Sequence, residues 1–338
     1  MLVVWSPREK GTRSAWMARE FGIEELHFIT PTRRRGLRAA LAKYPRQALA
    51  TLLLLARIRP RVVLVQTPPS FATWIVALYA LIRDAAFVID AHSDAFERGI
   101  WTRPRWLNRW VARRAVTTIT TNEHWARRLR QWGASAIVVP NIPAPLEVGD
   151  PPPMTDQFNV AVVNTWGFDE PVAEVLAAAA EVPQATFYIT GARERAAAYA
   201  DLSPSNVQFT GFLKEPTYLA LLAKAHAVVC LTTRDHTMQN GACEAMVLGT
   251  PIVTSNWPIL REYFDEGTVH VDNTAHGIAQ GIRALMAEHD RYRAEVLLLR
   301  DRRQQEWRKT RVRVIELVAR RLEGAGRTPP RGRPETDG

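Results

Sequence analysis

Residues 236–257 read HTMQNGACEAMVLGTPIVTSNW. A polar stretch passes through Gly241 into an apolar segment that carries one acid, Glu244. Gly249-Thr250-Pro251 and a β-type run from Ile252 follow. The pattern predicts loop, helix, turn and strand, with Glu244 close to the helix start. A glutamate there has two readings. It can complement the helix dipole, which is worth only about 0.3–1 kcal/mol. Or it can hold a ligand, because a carboxylate accepts from two vicinal hydroxyls at once. In the second case Asn240, Gly241 and Ala242 lie where the free N–H groups of a helix start would meet an anion, and Gly241 would allow close backbone approach.

The same alternation continues on both sides. Toward the N-terminus, LVVWS (2–6), ELHFIT (25–30), RVVLVQT (61–67), AAFVIDAH (85–92), AVTTITT (115–121) and AIVVPN (136–141) read as strands. Helical stretches separate them at 13–21, 36–58 (interrupted around Pro45), 70–83, 104–114 and 122–133. The second half repeats the pattern, with strands at 158–164, 185–191, 206–211, 225–233, 251–255 and 267–271. Near-continuous apolar strands alternating with helices indicate parallel sheets covered on both faces. The expected fold class is therefore α/β, with two doubly wound Rossmann-like domains facing a cleft in which ligands bind at the carboxyl ends of strands.

The boundary is IPAPLEVGDPPPMTDQ (142–157), with five prolines in sixteen residues. The reading gives domains at 1–143 and 158–275 and a linker at 144–157. Helices at 276–323 are expected to pack back on the first domain, and 324–338 is expected to be a disordered tail.

Composition narrows the partners. The 338-residue chain is 47% hydrophobic and 23% charged, which fits a globular protein. Its formal charge of +10 is uneven. Residues 1–143 hold 23 Lys and Arg against 9 Asp and Glu, a net +14, and the remainder is net −4. A polyanionic partner of the first half fits this: phosphates of a lipid-linked substrate, an anionic membrane or nucleic acid. A general preference for arginine fits it too. The two cysteines, Cys230 and Cys243, have no metal or redox spacing, so a reducing compartment is expected. The opening residues do not read as a signal peptide. The longest apolar runs, 48–56 and 71–82, fall short of the ~18–20 residues of a membrane span.

The segment CLTTRDHTMQNGACEAMVLGTPIVTSNWPILRE (230–262) resembles the donor-binding signature of GT-B fold glycosyltransferases, especially glycosyltransferase family 4. There a strand and loop lead into a helix bearing Glu-Ala-Met, then Gly-x-Pro-Val-Val and Ser. The resemblance implies that Glu244 accepts from the ribose hydroxyls of a sugar nucleotide. It also implies that backbone groups near Phe212 and Leu213, in NVQFTGFLKEP, meet the nucleobase. AIVVPN and TITTNEHWARRLRQWG are similar to the family's closing elements of the first domain.

Two positions depart from the family. Its second glutamate, separated by seven residues from the one matching Glu244, is replaced by His236, with Asp235 beside it. Either residue could stand in. The family's basic phosphate ligand near the start of the second domain is also missing: VVNTWGFDEPVAEVL (162–176) offers Asp169 and Glu170. The nearest basic candidate is Arg193, whose plainer reading is a surface arginine. In VIDAHSDAF (88–96), His92 matches a family histidine near the reaction centre. It could bind a sugar hydroxyl, assist proton transfer or serve the loop structurally. Asp90 and Asp94 are nearby carboxylates, and Asp90 is paired with His92 as a catalytic candidate. Gly11 and Arg13 would face donor phosphates or acceptor.

TPTRRRGLRAALAKYPRQ (30–47) and WTRPRWLNRWVARR (101–114) interleave basic and aromatic residues. Arg33, Arg34, Arg35, Trp101, Arg105 and Trp106 are thus candidates for an acceptor or an anionic membrane interface. An arginine-rich solvated surface is the plainer reading. The expected function is metal-independent glycosyl transfer, of hexosyltransferase type. A UDP- or GDP-sugar would be the donor substrate and a glycan or lipid-linked molecule the acceptor, in cell-surface polysaccharide or glycolipid synthesis. No cofactor or metal is expected. The expected location is cytoplasmic, peripheral at the inner face of the cell membrane. The competing readings are a sugar-nucleotide epimerase on the same fold and a non-catalytic basic nucleic-acid-binding protein.

Overall fold

The computed structural model describes residues 1–5, 13–29, 37–97, 99–141, 143 and 145–326. They form two compact units. The first comprises the described residues of 1–139 and 308–326, and the second those of 140–307.

In the first unit the elements are β1 (Leu2–Val4), α1 (Arg13–Glu20), β2 (Leu26–Phe28), α2 (Leu37–Ile58), β3 (Val62–Thr67), α3 (Ser70–Arg83) and β4 (Ala86–Ala91). They continue with α4 (Asp94–Glu97), α5 (Gly99–Thr102), α6 (Arg105–Arg114), β5 (Thr117–Thr120), α7 (Glu123–Gln131) and β6 (Ala136–Val138). The second unit has β7 (Phe158–Val162), α8 (Val172–Glu181), β8 (Ala185–Thr190), α9 (Arg193–Ala196), β9 (Val207–Gly211), α10 (Glu215–Lys224) and β10 (Ala227–Cys230). It ends with α11 (Asn240–Leu248), β11 (Ile252–Ser255), α12 (Pro258–Tyr263), β12 (Thr268–Val271), α13 (Ala275–Ala287) and α14 (His289–Gly326).

Each unit holds one parallel six-stranded sheet, ordered β2-β1-β3-β4-β5-β6 and β12-β11-β10-β7-β8-β9. Both are doubly wound, as the alternation implies. The direction of winding reverses between β1 and β3 and between β7 and β10, which are the switch points where such sheets bind ligands. Burial on both faces shows in β8. Phe187 and Ile189 join one core with Val160 and Val162, while Tyr188 faces another with Ala161 and Val228. This is the period of two expected of a strand, with both faces apolar.

Two local readings need correction. Helix α2 runs unbroken through Pro45. Proline removes one backbone donor, and tertiary packing compensates, because the Tyr44 ring packs tilted against that of Phe71 on α3, centroids 4.9 Å apart. Strands β7 and β10 end before their apolar runs do, where Asn164 accepts from Trp166 N and Thr232 from Arg234 N. Helix α14 gives Val296 and Leu299 to the second unit's core. From residue 308 it belongs to the first unit, where Arg311 donates to Glu20 and Arg321 to Asp84.

One packing contact fixes where α11 begins. A Cβ on Gly241 would lie 2.7–2.9 Å from the Val163 side chain just beyond β7. The close approach that this glycine permits is therefore to the neighbouring strand. We expect Gly241→Ala to cost ~1–3 kcal/mol by overpacking and Val163→Ala to restore part of it. Equal midpoints for Gly241→Ala and wild type in urea melts would refute this contact.

Candidate functional site

In the second unit, β10 leads into the loop 231–239 and then α11. Asn122 shows what a side-chain cap looks like here, accepting from Trp125 N at the start of α7. Helix α11 has no such cap. Its N-cap residue, Gln239, instead accepts from the Cys230 thiol at 3.3 Å. Burial pushes that thiol up to about 12, so it stays protonated and ties the helix start to β10.

Glu244 is the fifth residue of α11, and its first turn contains no acid. The helix-dipole reading required a first-turn position, so it does not apply. The side chain is half-buried, and Tyr218 Oη donates to its Oε2 at 2.6 Å. Burial pushes the Glu244 carboxyl up to about 7, opposed by the Tyr218 hydrogen bond and assisted by Glu215. Burial and then the Glu244 charge hold the Tyr218 hydroxyl well above its ordinary value, so it remains a donor. Tyr218 was missed in the sequence, where nothing links a tyrosine on α10 to an acid 26 positions away. Oε1 has no partner among the described residues, which leaves the carboxylate able to accept from outside the chain.

The other expected donor residues divide. Phe212, just after β9, is 88% exposed, while Leu213 is half-buried against the core. Arg193 is brought to the same place: a Cβ on Gly211, at φ +76°, would lie 3.0 Å from its side chain. Asn240 is exposed. Ala242 is fully buried, so its side chain belongs to the core, and Gly241 serves packing rather than a ligand approach. Asp235 is turned inward on its own loop, accepting from His236 N at 2.6 Å and lying 3.4 Å from His236 Nδ1. His236 itself adopts φ 58°.

The two acids in place of a basic phosphate ligand serve the loop after β7. Glu170 accepts from Thr165 N, Thr165 Oγ1 and Gly167 N. Asp169 bridges the switch point, accepting from Thr232 Oγ1 at 2.8 Å and, through its carbonyl, from Thr233 N at 2.7 Å. Thr232 is a hub: its N donates to Ser255, and its carbonyl accepts from Trp257 and Asn273. Arg234, which the sequence reading passed over, lies above the exposed ring of Phe168 at 5.6 Å.

In the first unit the candidates Asp90, His92 and Arg13 do meet, but not as expected. Asp90 is 1% exposed and accepts from Arg13 Nε at 3.2 Å. Arg13 also donates to Val139 O at 2.8 Å, so its guanidinium is spent inside the unit rather than offered to phosphate or acceptor. Burial pushes the Asp90 carboxyl up, but the Arg13 charge, with His92, outweighs it and holds it at about 2. So weak a base is poorly matched to taking a proton near neutral pH, and Asp90 is an anchor rather than a general base. His92 Nε2 lies 3.3 Å from Asp90 Oδ2 and 3.2 Å from Gln66 Nε2. The first distance is an ionic one without hydrogen-bond geometry, which leaves Oδ2 buried and unbonded. A ring nitrogen accepting from Gln66 has no proton to give Asp90. Ser14 Oγ holds Gln66 from behind, donating to Oε1 at 2.8 Å.

Of the candidates for an acceptor or membrane surface, Trp106 is 71% exposed and Arg105 is exposed. Trp101 is not available: its ring packs edge-on against Tyr44 and Phe71, and its carbonyl accepts from Ser70 and Asn108. Gly11, Arg33, Arg34 and Arg35 lie outside the described residues. Among the described residues no group of three or more His, Cys, Asp and Glu is placed to hold a metal ion, and no helix is long and apolar enough to cross a membrane.

Comparison with known proteins is consistent with this geometry. Residues 3–142 match the family described as glycosyl transferase 4-like domain, and residues 160–288 the family described as glycosyl transferases group 1. No curated protein matches the chain. Among solved structures, sucrose-phosphate synthase from Thermosynechococcus elongatus has a TM-score of 0.70 at 15% identity, covering 96% of this chain and 98% of that one. Anabaena HepE in complex with UDP-glucose has a TM-score of 0.65 at 13% identity, covering 96% and 100%. A candidate UDP-N-acetylglucosamine 2-epimerase from Listeria monocytogenes has a TM-score of 0.61 at 14% identity, covering 87% and 91%. At these identities the likeness concerns the fold.

Two outcomes follow from the charges. If Glu244 accepts ligand hydroxyls, its ionised form binds better, so affinity for UDP-glucose should rise about tenfold from pH 6 to pH 8. The donor's diphosphate is esterified at both ends and does not titrate in that range. Calorimetry should show the slope in wild type and its absence in Glu244→Gln; equal slopes in both would refute the role. The same raised carboxyl makes the unliganded protein less stable as pH rises from 4.5 toward 7, since the folded state keeps a proton that the unfolded chain releases. In the first unit, Arg13→Gln should cost ~3–5 kcal/mol by leaving a buried charge unpaired. A denaturation midpoint unchanged at pH 7 would contradict that.

Proposed function

This chain belongs to the GT-B fold glycosyltransferases, and we propose that within them it moves a hexose from a UDP- or GDP-sugar to a glycan or lipid-linked acceptor in cell-surface polysaccharide or glycolipid synthesis. The observation that carries the donor half is the Glu244 carboxylate. It stands on α11, directly after the switch-point strand β10, with one oxygen held by Tyr218 and the other without a partner among the described residues.

In this reading Glu244 accepts from the ribose hydroxyls, and Tyr218 fixes the carboxylate's orientation. The start of α11, whose N-cap residue makes no side-chain cap, receives the diphosphate with the helix dipole behind it. Phe212 and the backbone at Leu213 meet the base, and Arg193, beside them, supplies the positive charge that the loop after β7 lacks. No divalent metal is needed for the diphosphate in this arrangement. The complexes of HepE with UDP-glucose, with UDP and glucose, and with UDP lend support to a sugar nucleotide as donor.

In the first unit His92 is the residue left to touch a sugar hydroxyl or carry a proton, because it is 34% exposed while Asp90 is buried. The acceptor half rests on surface chemistry. Residues 26–83 contain ten Arg and Lys and no Asp or Glu. Within that run Leu49 and Leu53 on α2, and Leu78, Leu81 and Ile82 on α3, are exposed. Exposed Leu and Ile among basic residues suit the interface of an anionic leaflet, where each Lys or Arg contributes ~1 kcal/mol.

Transfer of radiolabelled sugar from UDP-glucose or GDP-mannose to a lipid extract in the presence of chelator tests the reaction. Conversion of the donor without acceptor would point to an epimerase instead. For the surface, wild type should co-sediment with phosphatidylglycerol vesicles at low salt, release at high salt, and ignore phosphatidylcholine vesicles. Leu81→Glu with Ile82→Glu should abolish the sedimentation. Equal recovery with both lipids, or no effect of the double variant, would show that the arginine excess is only a solvated surface.

A further inference from the structure

The first unit has a cavity of about 50 Å³, partly open to solvent, that none of the proposed roles uses. A site for one water needs about 10–15 Å³ by the same measure, so the space takes several non-hydrogen atoms. Its floor is the sheet. Thr67 on β3 pairs with Ala91 on β4, and Ile89 on β4 pairs with Thr118 on β5, so these four side chains share one face. Three of the four are small, and the helices above do not fill the gap.

Two hydroxyls on that floor are unsatisfied. Thr67 and Thr118 are 6% and 2% exposed, and neither Oγ1 makes a hydrogen bond among the described residues. The hydroxyls of Ser70 and Thr73 and the amide of Asn108, on the same wall, are all bonded within the protein. A buried hydroxyl without a partner costs ~1–3 kcal/mol, which a polar atom entering the cavity would recover.

The lining also has a sign. It includes Arg128 and no carboxylate. Arg128 reaches Phe96 O only at 3.5 Å, and the rings of Trp125 and Trp132 lie 5.8 and 5.6 Å from its guanidinium. Burial and then the neighbouring charge of Arg105 lower its pKa, the mark of a cation with a like charge nearby and no counter-ion.

We propose that this cavity binds an organic phosphate monoester, with Arg128 and Thr118 at the phosphate and Thr67 at a second oxygen of the ester's body. Arg128 stands on α7, which packs on β5, so its charge and Thr118 are on the same side. Thr67 is two strands away, about 10 Å across the sheet, too far for one phosphate to bridge. The occupant is therefore longer than inorganic phosphate. Apolar side chains such as Ile89, Val111 and Leu129 accommodate its body. A phospholipid head and a soluble sugar or alcohol phosphate share this chemistry. The inference rests on the cavity alone and does not depend on the donor reading.

The test is calorimetry of the full chain with glycerol 3-phosphate, butyl phosphate and inorganic phosphate, and sedimentation with phosphatidic acid vesicles. Both esters should bind more tightly than inorganic phosphate, and glycerol 3-phosphate, which has an oxygen for Thr67, more tightly than butyl phosphate, which has none outside its phosphate. Arg128→Gln should weaken them at least tenfold. Thr118→Val, which keeps the shape and removes the orphaned hydroxyl, should weaken them several-fold without lowering the melting temperature. Glu244→Gln should bind them as wild type does, which separates this site from the nucleotide site. Loss of vesicle binding along with ester binding in Arg128→Gln assigns the head group to a lipid; loss of ester binding alone assigns it to a soluble phosphate. No ester binding at millimolar concentration, or binding unchanged in Thr118→Val and Arg128→Gln, overturns the proposal.

Discussion

Helix α11 can begin where it does only because residue 241 has no side chain. Val163, just past β7, occupies the space a Cβ would need. That contact brings the end of one strand against the start of a helix that follows another, and so closes the floor of the switch point. The residues around α11 are placed relative to it. Gln239 is tied to β10 through Cys230, Thr232 gathers the ends of β10, β11 and β12, and Glu244 comes to rest under Tyr218. A carboxylate half-buried this way carries an energetic cost when empty, which is why its pKa is displaced and why a hydroxyl-bearing ligand has something to relieve.

The two units handle buried charge in opposite ways. Asp90 is paired with the Arg13 cation and held strongly acidic, so it organises its surroundings and takes no proton. Glu244 has one neutral donor and no cation, so it stays near the middle of its titration at neutral pH. The difference lies in the partner: a guanidinium offsets desolvation, whereas a phenol offsets only part of it. It separates a structural carboxylate from one poised to respond to a ligand, although both look alike as isolated acids after apolar runs.

Much of the architecture was legible in the sequence, because apolar strands alternating with helices report burial on both sheet faces directly. The strand β8 and the helix α3 are cases where periodicity alone sufficed. The continuity of α2 through Pro45 was not legible, since it depends on packing of Tyr44 against another helix. At the site, Glu244 stood out by position and Phe212 through the family resemblance, but Tyr218 could not, and the capture of Arg13 by Asp90 joins residues 77 positions apart. Trp101 read as a surface aromatic from its arginine neighbours, yet its ring is drawn into a cluster with Tyr44 and Phe71 that no local pattern reveals.

The central claim is that Glu244 recognises the ribose of the donor nucleotide. A double-mutant cycle addresses it directly: the affinities of UDP-glucose and of its 2′,3′-dideoxyuridine counterpart, measured by calorimetry at pH 8 in wild type and in Glu244→Gln. The account predicts that removing the hydroxyls costs wild type about tenfold or more, in line with ~1.5–3 kcal/mol for hydrogen bonds to a charged group, and costs the variant little. An equal loss in both proteins would mean that Glu244 and the ribose do not interact, and the account would be wrong.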